Sequence, residues 1–462
     1  DKTFENVNII KLEQNYRSTK YILDAANAVI DNNTGRKPKN LWTDNGNGNQ
    51  ITYFRAIDER DEARFVIEQI QALDSRPDVK LGDMAILYRT NTQSRVFEEM
   101  LIKSGIGYNI VGGTKFYERK EIKDIIAYLR VIFNPNDSLS LLRIINVPRR
   151  GIGDATLAKL QAYAEENNMN LFDVVSASGD VPGLSSRFVG KLEELSSIIF
   201  ELMGEANSGE VPVKQLIDNV MTKTGYLEEL ENSKSAQDQS RVENLKELLS
   251  VAEDFSKGEE EDNLENFLGR VALVSDIDDA ELGEEAVTLM TLHSAKGLEF
   301  PNVYLAGMED GLFPSHRSVD SEDKLEEERR LCYVAITRAR EALVCTFVRE
   351  RMVFGQTQYN RMSRFLEEIP NEYVNRELSE AEKAVSEQRL SFKPRRPIEI
   401  SKELTNKPKE TRKPISQATA SFSTGDRVRH ITFGEGTLLS AKPMGADILY
   451  EIAFDNAGTK KL

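Results

Sequence analysis

The sequence predicts an α/β protein whose parallel sheet is interrupted by an all-helical insertion and followed by a small β-rich tail. Strand-like and helix-like segments alternate over residues 1–116 and again over 284–375. Between them, over 117–283, one helical pattern follows another with little strand signal. Alternating β and α units of this length are typical of a parallel sheet with helices on both faces. The helical stretch is therefore expected to leave and re-enter a single α/β domain.

The first part, 1–116, is expected to contribute three strands and three helices. The strands are VNIIKL (7–12), ITYFRA (51–56) and MAILYR (84–89), and the helices span 18–30, 62–73 and 94–105. The last helix is expected to close at Gly105. In the first helix, helical spacing places five apolar residues on one face: Ile22, Ala25, Ala26, Val29 and Ile30.

The second part resumes the strand pattern and then changes composition. Strands are expected at AVTLMTL (286–292), NVYLAGM (302–308) and ALVCTFV (342–348). Residues 376–420 are rich in Lys, Arg, Glu, Pro and Ser, which is typical of a disordered linker. Residues 421–462 contain short strand-like runs separated by glycine turns, which predict a small β-barrel.

Composition restricts the classes of function. The chain has 462 residues, 40% hydrophobic and 29% charged, an ordinary globular balance long enough for two or three domains. A net charge of −16 argues against uniform coating of nucleic acid, so any such binding is expected only at basic segments such as YERKEIK (117–123) and VPRRGIG (147–153). The two cysteines lack disulfide or zinc-site spacing, which favours a reducing cytoplasm.

Two further expectations concern membrane spans and the start of the chain. No run approaches the roughly 18 apolar residues that a membrane span needs. The chain begins without an initiator Met or a signal-peptide pattern, so we expect a cut inside a longer protein.

The segment QNYRST (14–19) lies between a predicted strand and a predicted helix, where loops of α/β sheets meet ligands. Tyr16 has an aromatic face that can stack on a base, and Arg17 has a fork of donors suited to a phosphate. The alternative is an ordinary solvent-exposed Tyr–Arg pair.

The segment TLHSAKGLEF (291–300) begins at the end of a predicted buried strand. Within a few positions of one another it contains His293, Lys296, Gly297 and Glu299. Open α/β sheets place their sites beyond the carboxyl ends of strands, so this loop is a candidate site. An ordinary surface turn explains the same residues equally well.

The segment EEERRLCYVAITRARE (326–341) is expected to be a helix with Arg338 and Arg340 projecting from its end. An arginine held in this way can neutralise charge on a transferring phosphoryl group, an effect worth about 10³–10⁵ in rate. The alternative is a charged helical face with pairs such as Glu326 and Arg330.

Taken together, these segments resemble the later motifs of the UvrD/PcrA/Rep group of superfamily-one DNA helicases. The resemblance extends over nearly the whole chain, including GGTKFYERKEIKDIIAYLRVI (112–132), GMEDGLFPSHRS (307–318) and SRFLEEIP (363–370). The final GDRVRHITFGEG stretch resembles the Tudor-like tail of the PcrA branch. The implied organisation is a second RecA-like lobe (1–116 and 284–375), an inserted helical domain (117–283), a linker (376–420) and a Tudor/SH3-like β-barrel (421–462).

The resemblance implies a half-site for ATP, formed by Tyr16, Arg17, Gly297, Glu299 and Arg338. Tyr16 would stack on the adenine and Glu299 would bind the ribose. Arg17 and Arg338 would contact the γ-phosphate as the catalytic arginines. Arg340 lies outside the core motif.

The resemblance also implies DNA contacts. Arg89 and Asn91 match a segment that holds the DNA backbone, and His293 would lie near single-stranded DNA. Phe354, in RMVFG, matches an aromatic at the strand-separation point, where stacking on any base suits a translocase. A buried core phenylalanine is the competing interpretation.

In the inserted domain, RRGIGD (149–154) is expected to approach duplex DNA. The backbone N–H groups of Gly151 and Gly153 would meet a phosphate with Arg149 and Arg150 beside them. A plain junction between two helices would use similar residues.

The sequence contains no GxxxxGK(S/T) phosphate-binding loop. The resemblance places that loop, and the acidic motif that binds Mg²⁺, in a first lobe upstream of Asp1. We therefore expect ATP with Mg²⁺ as the nucleotide, no metal ligand from this chain, and no hydrolysis by the chain alone. The complete protein would be a 3′–5′ helicase of the bacterial cytoplasm and nucleoid, acting on single-stranded DNA and on junctions in repair and replication.

Two other functions compete with this interpretation. The chain could be a non-enzymatic module that binds RNA polymerase or DNA through its C-terminal barrel. A RecB/AddA-like helicase–nuclease is disfavoured, because the sequence shows no nuclease-like cluster of Asp, Glu and Lys at its C-terminal end.

Overall fold

The computed structural model describes residues 12–35, 39–258, 261–278, 285–384, 424–430, 434–444, 447–455 and 458–461. The strand expected over 7–12 lies outside these residues except for its last position. The chain divides into two compact units, Asp1–Phe392 and Lys393–Leu462. Each unit is described separately.

The strands of the first unit form a seven-stranded parallel sheet and one hairpin. In chain order they are β1 (Ile51–Ala56), β2 (Met84–Tyr88), β3 (Tyr108–Val111), β4 (Val287–Thr291), β5 (Phe300–Leu305), β6 (Ala339–Val348), β7 (Arg351–Val353), β8 (Gln356–Gln358) and β9 (Val374–Leu378). The sheet order is β3-β4-β2-β5-β6-β1-β9, with every neighbouring pair parallel. The interior strand β2 is buried throughout, as expected when helices cover both faces.

Helices cover both faces of this sheet. They are α1 (Lys20–Ile30), α2 (Glu59–Asp74) and α3 (Ser94–Lys103), and, after the insertion, α13 (His316–Val319), α14 (Glu322–Ile336) and α15 (Arg364–Glu367). Helices α1 and α14 share one hydrophobic core with the sheet, while α2 and α3 share the other. The apolar face predicted for α1 is confirmed, because all five of its residues are buried.

The insertion between β3 and β4 is helical throughout its described residues, as expected. Its helices are α4 (Lys120–Phe133), α5 (Ser138–Ile144), α6 (Asp154–Asn167), α7 (Leu171–Ser176), α8 (Ser186–Ser208), α9 (Val213–Lys223), α10 (Tyr226–Glu231), α11 (Ala236–Ser256) and α12 (Leu264–Asp278). They enclose their own hydrophobic core. Strands β3 and β4 pair directly, with Tyr108 opposite Val287, so the insertion leaves the sheet and returns to it at neighbouring positions.

Four strands differ from the sequence expectation. The sequence did not predict β3, the β7–β8 hairpin or β9. The expected linker start at 376 is wrong, because residues 376–378 lie in β9, which pairs with β1. Since β9 is an edge strand with one buried residue, its polar composition resembles that of a linker. The expected linker residues from 385 onward lie outside the described part of the chain.

The second unit is a four-stranded antiparallel sheet, in agreement with the β-rich tail that was expected. Its strands are β10 (Arg427–His430), β11 (Gly434–Met444), β12 (Asp447–Phe454) and β13 (Gly458–Lys461), in that order across the sheet. Leu438, Ile452 and Phe454 form its small core. Among the residues that the structure describes, we find no helix with the length and hydropathy of a membrane span.

Candidate nucleotide and DNA sites at opposite edges of the sheet

The predicted site residues lie at two opposite edges of the parallel sheet. Glu299 immediately precedes β5 and Arg338 immediately precedes β6, so both lie at the edge formed by the amino ends of the strands. Arg89 follows β2 and His293 follows β4, so both lie at the carboxyl edge. The loop 292–299 thus crosses from one edge to the other. The expectation that its polar residues all lie beyond the carboxyl end of a strand is wrong for Glu299.

A hydrogen-bonded turn brings Arg17 to the amino edge. The side-chain oxygen of Asn15 accepts hydrogen bonds from the backbone N–H groups of Arg17 (2.8 Å) and Ser18 (2.9 Å). This arrangement is an Asx-type turn, in which a side chain replaces a backbone partner. The hydroxyl of Ser18 in turn donates to the carbonyl oxygen of Ala339 at 2.6 Å. The QNYRST segment is therefore fixed against the start of β6, beside Arg338.

The two arginines meet at Thr337. Arg17 Nη1 donates to the Thr337 carbonyl at 3.3 Å, and Arg338 Nη2 donates to the Thr337 hydroxyl at 3.2 Å. Arg338 also donates from Nε to the Val334 carbonyl and from Nη1 to the Leu298 carbonyl, both at 2.9 Å. Burial, followed by the nearby charge of Arg17, lowers the pKa of Arg338. Two positive charges are thus held close together, which favours an anion between them.

Arg338 does not project from a helix as the sequence predicted. Helix α14 ends at Ile336, two residues before it, and strand β6 starts at Ala339. Arg340 consequently lies in the strand, where it is exposed. The turn between helix and strand directs the Arg338 side chain back onto the Val334 carbonyl in the last turn of the helix.

In this structure the Arg17 guanidinium is ion-paired with a carboxylate. Arg17 Nε is ion-paired with the Glu299 carboxylate, and the side chains are 30% and 43% exposed. An ion pair this accessible to solvent contributes little stability and can exchange for another anion. The alternative of an ordinary solvent-exposed Tyr–Arg pair therefore stays open, with Arg17 ion-paired at the surface.

Tyr16 and Gly297 border the same edge. Tyr16 is 77% exposed, and its hydroxyl donates to the Gln14 side chain at 2.7 Å, so one face of the ring is available for stacking. Gly297 has a φ of 94°, a conformation that favours glycine, and a Cβ there would meet no atom within 4 Å. Gly297 therefore shapes the crossing loop through its backbone.

At the carboxyl edge, Arg89 is bound by a carboxylate of α14. Arg89 forms a two-pronged pair with Glu328, with Nη2–Oε1 at 2.6 Å and Nε–Oε2 at 3.0 Å. Burial, followed by the charge of Arg89, lowers the pKa of His293, and Glu328 opposes that shift. Helix α14 therefore carries Glu328 at the carboxyl edge, while Arg338 follows its other end at the amino edge.

Asn91 lies in a short 3₁₀ turn, Asn91–Gln93, beside Arg89. Its carbonyl oxygen accepts from Arg119 Nη2 at 3.1 Å and from the Ser94 hydroxyl at 2.8 Å. These bonds fix the backbone of Asn91, and the residue is half-buried at the carboxyl edge.

Phe354 forms the apex of the β7–β8 hairpin. It has a φ of 55° and is 37% exposed, so the interpretation as a buried core phenylalanine is wrong. It lines a cavity of about 400 Å³ together with Arg89, Arg317 and residues of α11. Phe354 and Arg89 thus border one open space at the carboxyl edge.

In the insertion, the two arginines of RRGIGD point in different directions. Arg149 is exposed, and its backbone N–H donates to Glu229 at 2.9 Å. Arg150 turns inward and donates to the Val147 carbonyl (2.9 Å) and the Tyr128 hydroxyl (2.9 Å), so its expected place beside a phosphate is wrong.

Of the two glycines in this segment, only one has a conformation that favours glycine. Gly151 has a φ of 80°, which L side chains rarely adopt. Gly153 is the N-cap of α6 with a φ of −105° and no side-chain cap. The N-terminus of α6 therefore presents backbone N–H groups, the feature on which a phosphate contact would depend.

Sequence reasoning missed three residues that organise these sites. Asn15 carries a signal that could have been used, because Asn before a helix start commonly caps local N–H groups. Glu328 carries none, since its partner Arg89 lies 239 residues away in the sequence. Thr337 adjoins Arg338, but nothing local indicates its bond to Arg17, 320 residues away. Glu328 in particular looks like one more acidic residue on a charged helix.

A parallel sheet with a helical insertion, and with two arginines that meet at its amino edge, defines a RecA-like lobe of the kind found in helicases. The chain belongs to the UvrD-like helicase C-terminal domain family, whose model matches residues 10–350. Residues 424–462 match the PcrA/UvrD tudor domain.

The similar proteins include proteins named ATP-dependent DNA helicase PcrA from Staphylococcus aureus and Staphylococcus epidermidis. Each is 45% identical over 466 residues, covering 100% of this chain and 62% of the relative. The chain thus spans 62% of the length of these curated relatives. A solved C-terminal domain of a possible DNA helicase from Lactobacillus plantarum covers 78% of this chain at 11% identity with a TM-score of 0.30, too low to support an inference.

Proposed function

We propose that this chain is the C-terminal part of an ATP-dependent DNA helicase, in which it forms the second lobe of the ATP site. The observation that carries the proposal is the meeting of Arg17 and Arg338 at Thr337, because these arginines lie far apart in the sequence but at the same edge of the sheet. The names of the relatives support the same activity.

The amino edge fits ATP by its chemistry. Arg17 and Arg338 would bind the γ-phosphate, Tyr16 would stack on the adenine and Glu299 would bind the ribose, with Gly297 shaping the loop between the two edges. Apart from the single carboxylate of Glu299, which pairs with Arg17, this set is cationic and aromatic. It therefore fits phosphates and a base better than Mg²⁺, which prefers several oxygen ligands. In keeping with the family resemblance, we assign the Mg²⁺ ligands and the phosphate-binding loop to a first lobe.

The Arg17–Glu299 pair suggests how the site would respond. When a γ-phosphate enters, Arg17 exchanges the Glu299 carboxylate for it, which frees Glu299 for the ribose. Hydrolysis removes that contact and returns Arg17 to Glu299. Because the two arginines then interact differently with the two nucleotide states, the cycle can drive closure and opening of two lobes.

The carboxyl edge would hold DNA. Arg89, Asn91 and His293 would contact the single strand, and Phe354 would stack at the strand-separation point. Arg149, Gly151 and Gly153 of the insertion would contact the duplex backbone. The substrates would be single-stranded DNA and single-strand/duplex junctions, with 3′–5′ movement, in repair and replication at the nucleoid of a bacterial cytoplasm.

The test compares this chain with the full-length protein. Single-stranded DNA should stimulate ATP hydrolysis by the full-length protein, while the isolated chain should remain at background. Adding the first lobe as a separate polypeptide should restore part of the turnover. DNA-stimulated hydrolysis by the isolated chain would refute the proposal.

A second candidate function uses the C-terminal barrel as a protein-binding module, with RNA polymerase as the proposed partner. Leu439, at a β-bulge of β11, is 46% exposed. Arg427, which lies opposite Thr437 two residues earlier in β11, is already paired with Asp455 at 2.6 Å. An exposed apolar residue beside neutralised charges suits a protein surface better than DNA. Pull-down of RNA polymerase with residues 421–462 tests this, and loss of capture in Leu439→Ser is expected.

A further inference from the structure

The β7–β8 hairpin is fixed at its base by the sheet unit. Arg351, the first residue of β7, is buried and forms ion pairs with Glu62 on α2 (2.7 Å) and Glu309 (2.6 Å), whose side chains are fully buried. The backbone N–H of Met352 donates to Glu59 at 3.1 Å. A buried arginine shared by two carboxylates resists displacement, so the base of the hairpin moves with the sheet.

The tip of the hairpin is fixed by the helical insertion instead. The backbone N–H of Gly355 donates to the Ser250 hydroxyl on α11 at 2.9 Å. The carbonyl of Gly355 accepts from Lys214 Nζ on α9 at 3.1 Å, and Lys214 is itself paired with Glu253 at 2.9 Å. Both backbone polar groups of a single turn residue are therefore satisfied by side chains of the insertion.

The turn at this tip has a conformation that is unfavourable for its first residue. Phe354 and Gly355 have φ values of 55° and 70°, which correspond to a two-residue turn with both residues left-handed. Glycine and asparagine adopt this conformation readily, whereas a bulky side chain such as Phe rarely does. The two bonds to Gly355 stabilise the turn, and with it the partly exposed position of the Phe354 ring.

We propose that Ser250 and Lys214 are positioning residues for Phe354, so that the helical insertion controls how the hairpin presents its aromatic apex to DNA. This inference rests on the proposed role of Phe354 in strand separation. If the insertion turns away from the sheet, the base of the hairpin stays in place while Gly355 loses both partners. The apex then relaxes, and ATP hydrolysis continues without efficient strand separation.

The test uses Ser250→Ala and Lys214→Met in the full-length protein and measures base pairs opened per ATP hydrolysed on a tailed duplex. Each substitution removes one hydrogen bond to the turn, which should lower this yield about fivefold while DNA-stimulated ATP hydrolysis stays within about twofold. Ser250→Thr and Lys214→Arg keep the donors and acceptors and should restore the yield.

Matched controls lie on the same two helices. Lys223→Met on α9 breaks ion pairs with Glu201 and Glu205 inside the insertion. Ser256→Ala on α11 removes contacts of the hydroxyl with the Ala252 carbonyl and the Asp262 carboxylate, both also inside the insertion. Neither residue touches the hairpin, so both variants should unwind normally. An equal loss in these controls would show that general weakening of the insertion explains the effect, and would overturn the proposal.

A double-mutant cycle that combines Ser250→Ala with Phe354→Ala distinguishes positioning of the Phe354 ring by Ser250 from a merely structural role of Ser250. If Ser250 acts through the ring, adding Ser250→Ala to Phe354→Ala should cause no further loss, and full additivity would overturn the proposal. Impaired unwinding by Phe354→Ala with normal unwinding by Ser250→Ala and Lys214→Met would overturn this inference alone. Normal unwinding by Phe354→Ala would refute the proposed role of the ring and this inference together.

Discussion

Replacing Arg338 is the most direct test of the amino-edge site. Its guanidinium has five N–H donors. Hydrogen bonds to Val334, Leu298 and Thr337 occupy one each on Nε, Nη1 and Nη2, so two donors remain for a ligand. Arg338 is therefore held in place before any phosphate arrives. Arg338→Ala removes both the charge and this fixed geometry.

The expected size of the effect follows from that geometry. A positioned arginine on a transferring γ-phosphate contributes about 10³–10⁵ in rate, which corresponds to about 4–7 kcal/mol. Arg338→Lys keeps the charge but loses the three anchoring bonds, each worth about 0.5–1.5 kcal/mol. We therefore expect a loss of kcat in Arg338→Lys that lies between wild type and Arg338→Ala. KM for ATP should change less than kcat in both variants, because the contact strengthens in the transition state.

The assay is DNA-stimulated ATP hydrolysis by the full-length protein, with kcat and KM measured separately. Arg340→Ala is the matched control, since Arg340 is exposed in β6 two residues away and should be nearly silent. A kcat for Arg338→Ala within about tenfold of wild type would refute the assigned role. Equal losses in Arg340→Ala and Arg338→Ala would do the same.

Three further predictions concern the hairpin, the buried ion pairs and the carboxyl edge. Phe354→Ala should retain DNA-stimulated ATP hydrolysis but lose unwinding of a tailed duplex, because stacking worth about 1–3 kcal/mol per base is removed; unimpaired unwinding would contradict this. Arg351→Met leaves the buried carboxylates of Glu62 and Glu309 unpaired and should lower the free energy of unfolding by about 3–5 kcal/mol in urea titrations; a loss under about 1 kcal/mol is the opposing result. The pKa of His293, measured by NMR, should lie below its ordinary value because of burial and the charge of Arg89. The contribution of His293 to the free energy of unfolding is therefore fully present above the unfolded-state pKa and is lost as the pH falls through the folded-state pKa. Arg89→Ala should raise that pKa and Glu328→Gln should lower it further, and a titration that is the same in both variants would argue against the arrangement.

Local patterns were sufficient for most of the secondary structure. Helical spacing identified the buried face of α1, and short runs rich in apolar and aromatic residues identified β1, β2 and β6. These signals are local, because each depends on residues a few positions apart. Strands β3 and β9 were missed because they are short, lie at the edges of the sheet and are partly polar.

The sequence alone determined the α/β class, the place of the helical insertion and the residue types available for binding phosphate and bases. Only the tertiary structure decided which edge of the sheet each residue occupies and which partner holds it. Arg17 and Glu299 are 282 residues apart in the chain, and Arg89 and Glu328 are 239 apart. Such pairs depend on strand order and on the path of the loop 292–299 across the sheet. A periodic pattern shows which face of a helix or strand is buried, but it does not show which other elements pack against that face. The sequence could therefore propose these site residues but could not predict which of them form pairs.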